Sequence, residues 1–162
     1  MVRFVKLPQR VRTFKPNIII PQGFLLIVDT REQAPLFGEE KWCIRKTLKQ
    51  GDYSIVGFED RITIERKSIS DLLSSLGVER KRFEAELRRM EGYEWKGLVI
   101  EGLEKNVYTP NYYSSLHPNS IYQSLCSMEA RGFHIYYAEN KEKARWWVLS
   151  RLVKYYKIKR EE

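Results

Sequence analysis

Two runs in this sequence have no polar interruption: Phe24 to Val28 in "GFLLIVDTRE", closed by Asp29, and the centre of "GLVIEG" at 97 to 102. A strand with one wet face alternates polar and apolar residues, so an unbroken apolar run marks a strand covered on both sides. Such strands need helices above and below their sheet, and the sequence supplies them. "SISDLLSSL" carries Ser70 and Asp71 at a helix start. "RKRFEAELRRM" sets Phe83, Leu87 and Met90 at helical spacing, with Arg82, Glu86 and Arg89 on another face. Residues 119 to 132 read as a helix closed by Gly132, "FHIYYA" as a strand, and "NKEKARWWVLSRLVKYYKI" as a final helix opened by Asn140. With "KWCIRKTL" as a further strand, the order is that of an α/β fold, a mixed β-sheet flanked by α-helices.

"GDYSIVGFEDRITIERK", 51 to 67, reads as a β-hairpin turning between Phe58 and Glu59. This register sets Tyr53 opposite Ile64 and Ile55 opposite Ile62 on an apolar face. Ser54 then faces Thr63, and Val56 faces Arg61, on a largely polar one. Asp52 falls opposite Glu65 on the polar face, with Lys67 two residues further along. Cross-strand neighbours lie about 5 Å apart, and like charges there repel. Two facing carboxylates raise a carboxyl pKa, recruit a cation or pair with a base, and a hard divalent ion such as Mg²⁺ meets that need. An E-x-K spacing alone is common on surface hairpins and has little specificity.

The 162 residues suffice for one domain with a proper core, expected over 23–162 behind a basic arm at 1–22. Residues 1–16 hold Arg3, Lys6, Arg10, Arg12 and Lys15 and no acid. The formal charge of +8 favours a polyanionic partner, and Arg10, Arg12 and Lys15 are candidates to lie on a phosphate backbone. Cys43 and Cys126 lack metal-ligand spacing and are too few for a disulfide framework, which fits a reducing, intracellular compartment. No signal-peptide core or membrane-length apolar run is present, so no membrane association is expected. On the final helix, Trp146, Val148, Leu149, Leu152, Val153, Tyr155 and Tyr156 cover about half the circumference, wide enough to suggest a two-fold homodimer contact. Trp147 falls on the polar arc, as a packing residue or one that stacks on a base. His117 and His134 sit outside the motifs.

In order along the chain, "VDTRE" at 28 to 32, "GDY" at 51 to 53, "IERKSISDLLSSL" at 64 to 76 and "LVIEG" at 98 to 102 resemble the nuclease domain of the XPF and Mus81 structure-specific endonucleases, which has a restriction-endonuclease-like fold. The E-R-K-x-x-x-D signature is the most specific part. The resemblance implies that Asp52 and Glu65 hold Mg²⁺ (or Mn²⁺), with the Arg66 carbonyl as a further ligand and Asp29 as an assisting acid. It makes Lys67 the catalytic lysine and places Arg31, Glu32, Arg66 and Asp71 in or around the site, where an Arg grips the scissile phosphate or orients a carboxylate. Arg82, beside Lys81, matches a DNA-contacting arginine, although "KRFEAEL" departs from the family's G-R-L followed by glutamine. The implied activity is metal-dependent endonucleolytic cleavage of duplex DNA near a flap, fork or junction, in repair or recombination, by a homodimer. Long family members carry a tandem helix-hairpin-helix module after this domain, for which the chain has no room before Glu162. Branch selection would then come from the domain, the arm, the dimer or a separate DNA-binding partner protein. The implied location is with DNA, in the cytoplasm of a prokaryote or virus-infected cell or in a nucleus. Two alternatives are a non-catalytic scaffold subunit, which retention of Asp52, Glu65 and Lys67 disfavours, and a small junction-resolving enzyme of viral or mobile-element origin.

Overall fold

Leu26, Ile27 and Val28 are fully buried and form β1 (Leu26–Val28), the core of the longest apolar run. In the computed structural model, which describes residues 14–109 and 114–162, five more strands join it: β2 (Cys43–Arg45), β3 (Tyr53–Ile55), β4 (Ile62–Ser68), β5 (Trp95–Glu101) and β6 (Phe133–Ala138). They make one mixed sheet in the order β2-β1-β3-β4-β5-β6, antiparallel from β1 through β3 to β4 and parallel elsewhere. Parallel neighbours cannot be joined by a tight turn. Helices α1 (Ile69–Leu76) and α2 (Arg80–Arg89) therefore connect β4 to β5, and α3 (Glu104–Val107) and α4 (Pro118–Ala130) connect β5 to β6; α5 (Lys141–Glu161) ends the chain. The short α3 has no counterpart among the elements expected from the sequence.

Strand alternation sorts the side chains into two cores. Leu26, Val28, Tyr53, Ile55, Ile62, Ile64 and Val99 pack beneath α5 through Val148, Leu152 and Tyr156. Leu98 and Ile100 face the other way, onto Leu72 of α1, Phe83 of α2 and Leu125 of α4. Tyr53 pairs with Ile64, the register expected for the hairpin, and its apolar face is wholly buried. The opposite face is not the wet surface its composition suggested, because Ser54 and Thr63 are buried as well. Their hydroxyls donate to the carbonyls of Ile62 at 2.6 Å and Gln50 at 2.8 Å, which removes the penalty of burying them.

Helix α1 starts earlier than expected: Ser68, not Ser70, is the N-cap, accepting from the Asp71 N–H at 3.1 Å. Asp71 lies in the first turn, where a carboxylate complements the helix dipole. Trp147 belongs to the core rather than to the polar arc of α5. Gly97 makes room for it, since a Cβ there would sit 2.9 Å from the indole, and Tyr136 stacks on it at 5.4 Å. His134 stacks on Trp95 at 4.6 Å, and His117 caps α4 by accepting from Asn119 N–H.

The expected arm boundary at residue 22 does not match the packing. Ile18 and Ile20 pack against the α5 core, and Arg160 donates to the Gln22 carbonyl at 3.0 Å. The broad apolar surface of α5 is thus covered by the sheet and in part by the chain's own residues 14–22. Lys15 is exposed, whereas Arg10 and Arg12 lie outside the described residues. Among the described residues no helix is long and apolar enough to cross a membrane, and Cys43 and Cys126 are free thiols.

Candidate active site

Three acids form a row across the sheet. Val28 pairs with Tyr53 and Tyr53 with Ile64, so one step along each strand puts Asp29 beside Asp52 and Asp52 beside Glu65. Backbone bonds fix that row: Asp29 N–H donates to the Asp52 carbonyl at 2.8 Å, and Asp52 N–H to the Ile64 carbonyl at 2.9 Å. Lys67, two residues beyond Glu65, falls on the same face. Gly51 makes the entry possible. Its φ is +77°, and a Cβ there would stand 1.9 Å from Thr63 Oγ1, so only glycine can turn the chain at this point and deliver Asp52 into the row.

The three acids differ in what surrounds them. Asp29 is buried, and its two oxygens accept four hydrogen bonds: from the Arg31 N–H, Nε and NH2, and from the Leu48 N–H at 2.7 Å. Burial alone would push its pKa up, but these bonds outweigh it and hold the carboxyl below its ordinary value. Four bonds fill the lone-pair sites of a carboxylate, so Asp29 anchors Arg31 and Leu48 and has no oxygen to spare for the assisting role expected of it. Asp52 has one oxygen held by the Arg66 N–H at 2.7 Å. Burial, and then the charge of Glu65, push its pKa up to about 8. Burial also pushes Glu65 up, opposed by Lys67, whose Nζ is 3.4 Å from Glu65 Oε1 and 5.1 Å from the Phe83 ring centroid.

The Arg66 side chain points to the opposite face of β4 from Glu65 and Lys67. Its guanidinium donates to Glu32 at 3.1 Å, Glu101 at 2.9 Å and the Ala34 carbonyl at 2.6 Å. Glu32 also accepts from the Tyr53 hydroxyl at 2.8 Å; burial pushes that phenol's pKa up, so it remains a donor. Arg66 and Glu32 therefore brace the strand ends from the α5 side. The guanidinium of Arg66 orients carboxylates and is not free to grip a phosphate, while its backbone N–H acts on Asp52.

A cleft of about 210 Å³ opens over the row, lined by Asp29, Arg31, Lys49, Gln50, Gly51, Asp52, Glu65, Glu86, Arg89 and Met90. Arg31 reaches its rim while held by Asp29. Lys81 and Arg82 are exposed on α2, with Arg82 on Glu79 at 2.8 Å, and neither they nor Asp71 line the cleft. Sequence patterns assigned no site roles to Lys49, Gln50, Arg89 or Glu101. Glu101 was detectable, as the polar residue that closes the apolar run from Leu98 to Ile100. Among the described residues no three His, Cys, Asp or Glu side chains converge as a ready metal cage. The Asp52 and Glu65 pair still suits Mg²⁺ or Mn²⁺, which take one or two carboxylates and fill their remaining positions with water and substrate oxygens. Two neighbouring, partly buried carboxylates, both raised by desolvation and Asp52 further by the charge of Glu65, are a donor set that a hard cation would relieve.

A family model of the ERCC4 domain matches residues 28–149. The fold is similar to that of XPF from Aeropyrum pernix, with a TM-score of 0.61 at 22% identity over 81% of this chain and 60% of that one. A structure of XPF from Aeropyrum pernix in complex with DNA gives 0.62 at 22% identity, over 82% and 64%. The chain thus spans less than two thirds of either. No curated protein matched the sequence.

Proposed function

Because the chain belongs to the ERCC4 domain family, whose members are endonucleases, we propose that it is a metal-dependent DNA endonuclease that hydrolyses phosphodiester bonds in duplex DNA near a flap, fork or junction. The observation that carries this reading is the partly buried Asp52 and Glu65 pair, set side by side just before β3 and on β4 beneath an open cleft. Asp52 and Glu65 would hold the Mg²⁺ or Mn²⁺ ion, with the free Asp52 oxygen turned by the bond from Arg66 N–H. When bound, the ion supplies the positive charge that neutralises the pair, polarises the phosphate and eases deprotonation of a water.

The chain's own groups do the rest. Lys67, close to Glu65, donates to the attacking water or to a phosphoryl oxygen. Arg31, fixed by Asp29 at the cleft rim, and Arg89 are placed to hold the phosphate. The water adds to phosphorus, the 3′ oxygen leaves with a proton, and a 5′ phosphate remains. Lys81, Arg82, Lys15 and the arm would lie along the duplex arms. A two-fold homodimer beside α5 would meet where Tyr136, Trp146, Trp147 and Arg151 border a hollow of about 450 Å³. A separate DNA-binding protein would supply further grip on branched substrates.

The test is cleavage of end-labelled linear duplex, 3′ flap, fork and four-way junction with Mg²⁺, Mn²⁺ or EDTA, alongside Asp52→Ala. Equal cutting by Asp52→Ala, or cutting in EDTA, would sink the mechanism. Preference for linear duplex would remove the branch assignment, and a monomeric mass by light scattering the dimer.

A further inference from the structure

Helix α2 stands between two hollows. Glu86 and Arg89 line the active-site cleft on one side. On the other, Arg80, Glu84 and Arg88 line a pocket of about 180 Å³ completed by Ser124, Ser127 and Arg131. Helical spacing explains the division: Lys81, Glu84 and Arg88 share one flank of α2, Arg82, Glu86 and Arg89 the other, and small Ala85 forms the crest between them.

The charges of this second pocket are only partly spent. Arg80 is held by Glu84 at 3.0 Å, the Leu76 carbonyl and Ser124 Oγ, while Arg131 meets only Glu91, at 3.7 Å across an interval more than half exposed on both sides. Lys81, Arg88 and Arg89 have no carboxylate within 4.0 Å among the described residues. Exposed pairs of this kind are worth little and yield readily to a phosphate. The Ser124 and Ser127 hydroxyls donate to the Ser120 and Gln123 carbonyls, so the donors available to a ligand are the guanidinium groups of Arg88 and Arg131, whose forked geometry suits phosphate oxygens.

We propose that α2 sits in the major groove of the duplex, and that Arg88 and Arg131, beside the anchored Arg80, form a second phosphate site that holds the strand facing the one being cut. This rests on the DNA-binding reading above and adds the placement of the duplex. A helix with its side chains is about 10–12 Å across, and the major groove is about 12 Å wide. A phosphate in the cleft and another in the second pocket are therefore separated by the helix that fills the groove between their strands. At the crest Ala85 offers no polar group to base edges, and the Lys81 and Arg89 side chains one turn either side of it are cations suited to phosphates. The grip is on backbone, independent of sequence.

The test is fluorescence anisotropy of a short blunt DNA duplex of mixed sequence, in EDTA, across a series of salt concentrations. Arg88→Ala/Arg131→Ala should weaken binding and flatten the slope of log affinity against log salt by about 1, for the one phosphate no longer neutralised. Lys141→Ala/Lys154→Ala removes two exposed charges from α5 on the other side of the sheet and should keep the wild-type slope. Arg88→Lys/Arg131→Lys should keep most of it. If the alanine variant melts early, Arg88→Gln/Arg131→Gln preserves the packed stems and takes its place. Wild-type binding with a double variant that matches the α5 control would overturn the second site alone. No binding by the wild type would overturn both this site and the DNA-binding reading.

Discussion

Replacing Asp52 with Asn should stabilise the metal-free protein in mildly alkaline solution and do much less in mild acid. The folded Asp52 carboxyl is pushed up to about 8 from an ordinary 3.8 by burial and by Glu65. Between those values the folded chain keeps a proton that the unfolded chain has released, so stability falls as pH rises through the window and is lowest above it. At 1.36 kcal/mol per pH unit the difference corresponds to at most about 6 kcal/mol. The open cleft and relaxation of the pair reduce the recoverable part to about 2–4 kcal/mol. Asn keeps an oxygen for the Arg66 N–H and removes only the charge. For a chain of this length the gain is roughly 5–15 °C in Tm. Thermal melts in EDTA at about pH 8.5 and about pH 5 measure it, because most of the window from 3.8 to about 8 lies between them. An unchanged or lower Tm at the higher pH, or an equal gain at both, would refute the reasoning. Excess Mg²⁺ should reverse the order by raising the Tm of the wild type and not that of the variant.

Lys67→Met should leave Mg²⁺ binding nearly intact and lower single-turnover cleavage by about 10²–10⁴; a loss confined to metal affinity would assign Lys67 to Glu65 support instead. Gly51→Ala combines a positive φ with a Cβ 1.9 Å from Thr63 Oγ1. Urea unfolding should show a loss of about 2–4 kcal/mol, and an unshifted midpoint would contradict the account of that turn. Arg66→Met leaves Glu32 and Glu101 without their shared cation and should cost about 3–5 kcal/mol. Adding Glu32→Gln should recover part of it, which a purely steric effect would not allow.

The apolar runs made the sheet legible because a strand buried on both faces has few alternatives, and the hairpin register followed from period-two alternation through Tyr53 and Ile64. The acid row was half legible. Facing Asp52 and Glu65 came from that same register, but the exhaustion of Asp29 did not, since it depends on Leu48, a residue far along the chain whose N–H arrives only with the fold. Residues 14–22 read as an arm because prolines and cations dominate what precedes them. The apolar Ile18 and Ile20 within them report packing that composition averages away. Trp147 was misplaced on the polar arc because a helix wheel carries no record of Gly97, the gap that admits the indole.

Along β4, neighbouring letters answer to different demands. Glu65 lines the cleft and Lys67 supports it from the same face, while Arg66 between them serves the scaffold on the far side. A slip of one position would exchange the two roles, sending the guanidinium to the cleft side and Glu65 and Lys67 into the bracing layer. What prevents this is the pairing of β4 with β5, continuous from Ile62 opposite Trp95 to Ser68 opposite Glu101. That ladder acts as a reading frame in three dimensions, and changes on β5 that loosen it would scramble the chemistry without touching one residue of the cleft.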